Sequence, residues 1–138
     1  MTAAQAAGLG WLGIVRLGLV QTCLGAVVVL TTSTINRIMV VELALPAMLP
    51  GILVALHHAV QMSRPRFGHG SDVGGRTTRW IIGGMCLLAV GGVGAAAGTN
   101  LLADSRLAGF LLCTLSFTCI GLGASAAGTS LLVTLAKH

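Results

Sequence analysis

The sequence has 138 residues, 55% hydrophobic and 8% charged, with a formal net charge of +5. A water-soluble domain of this length needs far more surface charge, so a soluble enzyme or binding module is excluded. The positive balance does not describe a nucleic-acid binder either, because the basic residues stand at the ends of long apolar runs and not in a patch.

Residues 1–10 are rich in Ala and Gly and predict a frayed or interfacial start. Uncharged runs then cover 17–36, 43–63, 80–103 and 107–136. Each reaches the roughly 20 residues that cross a hydrocarbon core about 30 Å thick. The pattern predicts an all-α polytopic membrane protein. Its single domain, 1–138, holds four transmembrane helices over about 11–39, 44–63, 79–103 and 106–136. No alternation of polarity over strands of about ten residues supports a barrel. The first run is too long for the h-region of a signal peptide and has no small-residue cleavage site before soluble sequence.

Arg16 and Arg37 bracket the first helix. They are 21 residues apart, about 31 Å of helix, and so mark two interfaces. Thr31, Thr32, Ser33, Thr34 and Asn36 suit backbone hydrogen bonding near the helix end. Gln21 reads as an interhelical hydrogen bond. Arg37 and Glu42 form a candidate outer-face anchor. Pro46 fits the first turn of the second helix, and Pro50 a kink one turn later.

The segment 64–79 predicts a polar loop. It carries Arg64, Arg66, Arg76 and Arg79 against one acid, Asp72. The positive-inside rule puts it in the cytoplasm, together with both chain ends, and Trp11 and Trp80 fall at the same interface. Gly94-x-x-x-Gly98 and Gly91-x-x-x-Ala95 mark the third helix, and Gly121-x-x-x-Ser125 and Ala124-x-x-x-Gly128 the fourth. Small residues four apart let helices approach closely in lipid.

Chemistry-bearing groups are few. Glu42, Asp72 and Asp104 are the only acids, all at span ends, so no acid–base dyad forms and catalysis is not expected. Cys23, Cys86, Cys113 and Cys119 lie inside spans without a C-x-x-C, which reads as buried small hydrophobes and no metal site. His57 and His58 are intramembrane imidazoles. An ionisable residue there is a functional candidate, and a neutral imidazole can ligate a chlorophyll magnesium or shuttle a proton. Adjacent residues point about 100° apart, so the two cannot serve one ligand. His57 is the candidate pigment contact, and His58 reads as a hydrogen-bonded packing residue. Asp72 and Arg76, four apart, form either a solvated pair or a lock with the acid at a helix N-terminus.

Gly68-x-x-x-Asp72-x-x-Gly75-Arg76 resembles the signature between the second and third helices of the major facilitator superfamily, with Val73 and Thr77 in place of basic residues. Around it, Arg16-Leu-Gly-Leu-Val-Gln21, Asn36-Arg-Ile-Met-Val-Val-Glu-Leu43, Leu53-Val-Ala-Leu-His57 and Phe67-Gly-His-Gly-Ser-Asp72 resemble the bacteriochlorophyll-delivery (PucC/LhaA-type) light-harvesting assembly family of that superfamily. The resemblance runs from about residue 12 to the end of the sequence. It implies the N-terminal four helices of a bundle of about twelve in two halves. It also implies an antenna assembly factor of the intracytoplasmic photosynthetic membrane, with bacteriochlorophyll and carotenoid as pigments. Antenna polypeptides, the reaction centre and membrane lipids would be its partners, and no nucleic acid. Two alternatives share these features: a small structural subunit of a reaction centre–antenna supercomplex, and a fragment of a secondary transporter. The transporter would be expected to carry mid-span carboxylates, and none is present.

Overall fold

The computed structural model describes residues 10–73 and 77–136, and no strand occurs among them. Helix α1 spans Trp11–Arg37 and continues into one π-helical turn, Ile38–Glu42. Helices α2 (Met48–Gln61), α3 (Arg64–Val73), α4 (Thr77–Asp104) and α5 (Arg106–Ala136) follow. Three helical stretches are long and apolar enough to cross a membrane: Trp11–Glu42, Thr77–Asp104 and Arg106–Ala136. In lipid no water can satisfy the backbone, so a long apolar run folds on itself as a helix. The chain is an all-α, multi-pass membrane protein.

Helix α2 is shorter than its apolar run. Its 14 residues cover about 21 Å. The chain first turns through Ala44, whose φ of 49° is left-handed backbone, and Leu45, whose amide bonds the Met39 carbonyl at 2.9 Å. Pro46 therefore lies in the turn. Pro50 takes the first-turn position instead of kinking the helix, because an amide there has no helical acceptor to lose.

The segment 64–79, expected as a loop, contains helix α3. Gly68 and Gly70 weaken its intrinsic propensity, but Pro65 suits a first turn and the helix lies against α5. A Cβ on Gly68 would stand 3.0 Å from Thr129 Cγ2. Docking, not propensity, makes this segment helical. Asp72 falls in the last turn of α3, not at a helix N-terminus. Its side chain, and all of Gly75 and Arg76, lie outside the described residues.

Helices α4 and α5 form an antiparallel pair that anchors the bundle. The buried α4 residues Gly84, Leu88, Gly91, Ala95, Gly98 and Leu102 alternate by four and three positions. On α5 the same alternation gives Gly109, Cys113, Ser116, Ile120, Gly123, Ala127 and Ser130. A seven-residue repeat is the signature of left-handed packing, near +20° between axes. Glycine sets the separation: a Cβ at Gly84 would meet the Ala127 nitrogen at 2.6 Å, and one at Gly123 the Gly84 oxygen at 2.6 Å.

Helix α5 also receives α2, through Gly121, and α3. Helix α1 stands off. Its α-helical part buries only Leu24 and Ile35, and a gap of about 150 Å³ separates Leu17, Gly18 and Gln21 from Leu131 and Leu135. Exposed Gln21 reaches α5, where a Cβ on Gly128 would stand 3.9 Å from its Nε2, but it makes no hydrogen bond with a described residue.

Hydroxyls in the spans bond back to their own helix: Thr99 to the Ala95 carbonyl at 2.7 Å, Ser125 to Gly121 at 2.7 Å, Thr118 to Thr114 at 2.8 Å. Buried Ser130 Oγ has no partner among the described residues. Ser130→Ala should therefore leave stability within about 0.5 kcal/mol of the parent or raise it, since an unsatisfied polar group is removed. Thermal unfolding in detergent checks this, and a loss near 2 kcal/mol would mean that the hydroxyl has a partner.

Candidate functional site

A polar line runs along one side of α2, where positions 57, 61 and 64 follow helical spacing into the start of α3. His57 is fully buried at 0% exposure, packed against α5 where Gly121 lets the His57 carbonyl approach. A Cβ at Gly121 would stand 2.9 Å from that oxygen. The Gln61 side chain reaches His57 Nε2, and Arg64 donates to Gln61 Oε1.

These contacts assign the proton on His57. Arginine only donates, so the Gln61 oxygen faces Arg64 and its amide nitrogen faces the imidazole. Gln61 then donates to Nε2, which must accept, and the proton sits on Nδ1. Buried Nδ1 has no partner within hydrogen-bond geometry among the described residues.

The neighbouring ring is placed oppositely. His58 is exposed and touches His57 edge-on, with centroids 5.1 Å apart and planes at 67°. On its side of α2, Gly51 and Ala55 are small and exposed, and a Cβ on Gly51 would meet nothing within 4 Å. The imidazole expected as the contact is sealed in the α2–α5 seam, while the one expected as packing faces outward. The charged Arg64 beyond Gln61 was the available hint: a line from a charge into the bundle reads as a packed network.

At the opposite end, α1 and α4 enclose a cleft of about 530 Å³. Thr31, Thr34, Thr99, Asn100 and Glu42 supply its polar lining. Thr32 instead bonds back to the Val28 carbonyl at 2.9 Å. The cleft was not legible beforehand, because Thr99 and Asn100 join Thr31 and Thr34 only through packing. Arg37 and Glu42 are both exposed and form no ion pair among the described residues. Gly68 is an α3–α5 contact. No cluster of three or more metal-ligating side chains occurs among the described residues.

A family model described as "PUCC protein" matches residues 34–138. The "Bacteriochlorophyll synthase 44.5 kDa chain" of Rhodobacter capsulatus is 56% identical over 129 residues, covering 94% of this chain and 30% of that protein. "Protein PucC" of Cereibacter sphaeroides is 33% identical over 102 residues, covering 62% of this chain and 22% of that protein. The chain thus spans less than a third of the length of these curated relatives. No solved structure matches it. The family match takes in α2 to α5 and the C-terminal end of α1, the helices that build both the imidazole pair and the cleft, and on that extent the chain belongs to the PUCC protein family.

Proposed function

We propose that this chain acts in light-harvesting antenna assembly, handling bacteriochlorophyll and contacting antenna polypeptides and the reaction centre within the membrane, without catalysing a reaction. The relative named for bacteriochlorophyll supports the pigment class. The observation that carries the reading is an exposed imidazole in α2, His58, beside a buried one.

His58 would hold a bacteriochlorophyll through one imidazole nitrogen, with the small residues beside it leaving room for the ring. The donor chemistry fits: a single exposed imidazole flanked by Gly51 and Ala55. When bound, the pigment supplies the magnesium that accepts this nitrogen. The chain's part is to present His58 outward and to hold it there through the packed His57 behind it. His57 itself would meet a pigment only if α2 lifted from α5. The same surface is apolar enough to take carotenoid. The basic end, with Arg64, Arg66 and Arg79, faces the cytoplasm in this reading, by the positive-inside rule. The membrane is then the intracytoplasmic photosynthetic one.

His58→Phe should lower bound bacteriochlorophyll at least fivefold in protein isolated gently from a phototroph, read as near-infrared absorption per mole of chain. His57→Phe should retain the pigment and lower thermal stability by about 1–3 kcal/mol, as expected for disturbing a packed hydrogen-bonded site. Pigment loss confined to His57→Phe would reverse the assignment. A colourless parent chain without antenna polypeptides would remove the reading and favour a transporter fragment.

A further inference from the structure

The basic end of the bundle holds a crevice unconnected with the imidazole pair. Helices α3, α4 and α5 enclose about 250 Å³ there, with Phe67, Trp80, Gly83, Leu87 and Leu122 among the lining residues. Phe67 and Trp80 pack edge-on across it, centroids 5.8 Å apart. Among the described residues Arg79 is the only charged one that lines it, and it is exposed. It makes no hydrogen bond or ion pair with a described residue. The acids with described side chains, Glu42 and Asp104, lie at the far ends of α1 and α4.

We propose that this crevice binds one anionic phospholipid, with its phosphate on Arg79 and an acyl chain against Gly83. A guanidinium at the membrane interface attracts an anionic headgroup and can hold phosphate in a forked geometry, and Arg79 has no partner among the described residues. The slot below it is apolar and runs eight residues along α4 from Arg79 to Leu87, about 12 Å, which suits the upper part of an acyl chain. Trp80 stands where an amphipathic ring prefers the headgroup level. Arg66, next to Phe67 on α3, is also exposed and adds to the positive field. Glycine at 83 keeps the slot open: a Cβ there meets nothing within 4 Å, whereas the adjacent Gly84 is locked against α5.

The test is native mass spectrometry of the full chain released from nanodiscs holding equal parts of phosphatidylglycerol and phosphatidylcholine. The parent should retain one phosphatidylglycerol in preference to phosphatidylcholine. Arg79→Gln should weaken that preference about fivefold, the contribution of one basic residue near an anionic surface, and Arg79→Lys should keep most of it. Gly83→Leu should expel the lipid while leaving the unfolding temperature in phosphatidylcholine unchanged, so loss of binding is separable from loss of fold. Equal retention of the two lipids, or an adduct that survives Gly83→Leu, would overturn the proposal. So would displacement of the lipid by inorganic phosphate alone, which would show an anion site without an acyl slot.

Discussion

Gly84→Leu should leave little folded protein. A Cβ at this position would lie 2.6 Å from the Ala127 nitrogen, 2.8 Å from the Gly123 oxygen and 2.9 Å from the Ala127 Cβ. Two of these are backbone atoms of α5, which cannot rotate away as a flexible side chain would. Overpacking a core that can adjust costs about 1–3 kcal/mol. Here the helices themselves must separate, so at least about 3 kcal/mol is expected. In lipid, helix association rests on van der Waals contact and not on a hydrophobic drive, and a widened α4–α5 seam loses those contacts along its length. Gly83→Leu is the matched control, one residue away with open space before it. Monodisperse yield and unfolding temperature in mild detergent should collapse for the first variant and hold for the second. Equal behaviour of the two would show that the seven-residue seam is misplaced.

Gly121→Leu should release α2 while sparing the α4–α5 pair. Its Cβ would meet the His57 oxygen at 2.9 Å and Val60 Cβ at 3.0 Å, both on α2. The clash falls on a helix of 14 residues, the shorter and less anchored partner, so the strain resolves by local undocking at about 1–3 kcal/mol. Backbone hydrogen exchange read by mass spectrometry should rise several-fold across 48–61 and stay unchanged in α4 and α5. A uniform rise would mean that α2 and α5 unfold as one unit. No rise at all would mean that α2 is not held at Gly121. Undocking would also expose His57, which is buried against α5 in the parent.

The two glycine variants show how much of the packing could be read in advance. Small-residue motifs were visible at Gly91, Ala95, Gly94 and Gly98 on α4 and at Gly121, Ser125, Ala124 and Gly128 on α5. Spacing by four does not say which neighbour a motif faces. Gly121 turned out to serve α2, while Gly123 and Gly109, outside the chosen motifs, serve α4. The seven-residue repeat shared by both helices was present in the chain, but so many glycines and alanines lie on every face that the repeat emerges only when one helix is set against the other. The polar segment 64–79 illustrates the converse. Glycine and arginine content argued for a loop, and contact with α5 made 64–73 a helix.

The long apolar runs, the all-α membrane class and the family resemblance carried by the Asn36–Leu43 and Phe67–Asp72 strings could be read from residue order alone. Each depends on local properties: run length against bilayer thickness, backbone groups that must bond within their own segment, and side chains recognised in sequence. The two imidazoles were equally visible, since adjacent positions on a helix necessarily point apart. Which of them is sealed and which is presented depends on where α5 lies, and so on Gly121 meeting the His57 carbonyl. The α1–α4 cleft and the Arg79 crevice likewise exist only where separate helices are packed together. Periodicity tells a helix which side is apolar, but in a chain apolar on every side it cannot tell which side meets a neighbour. That choice was made by the close approach of backbones at a few glycines.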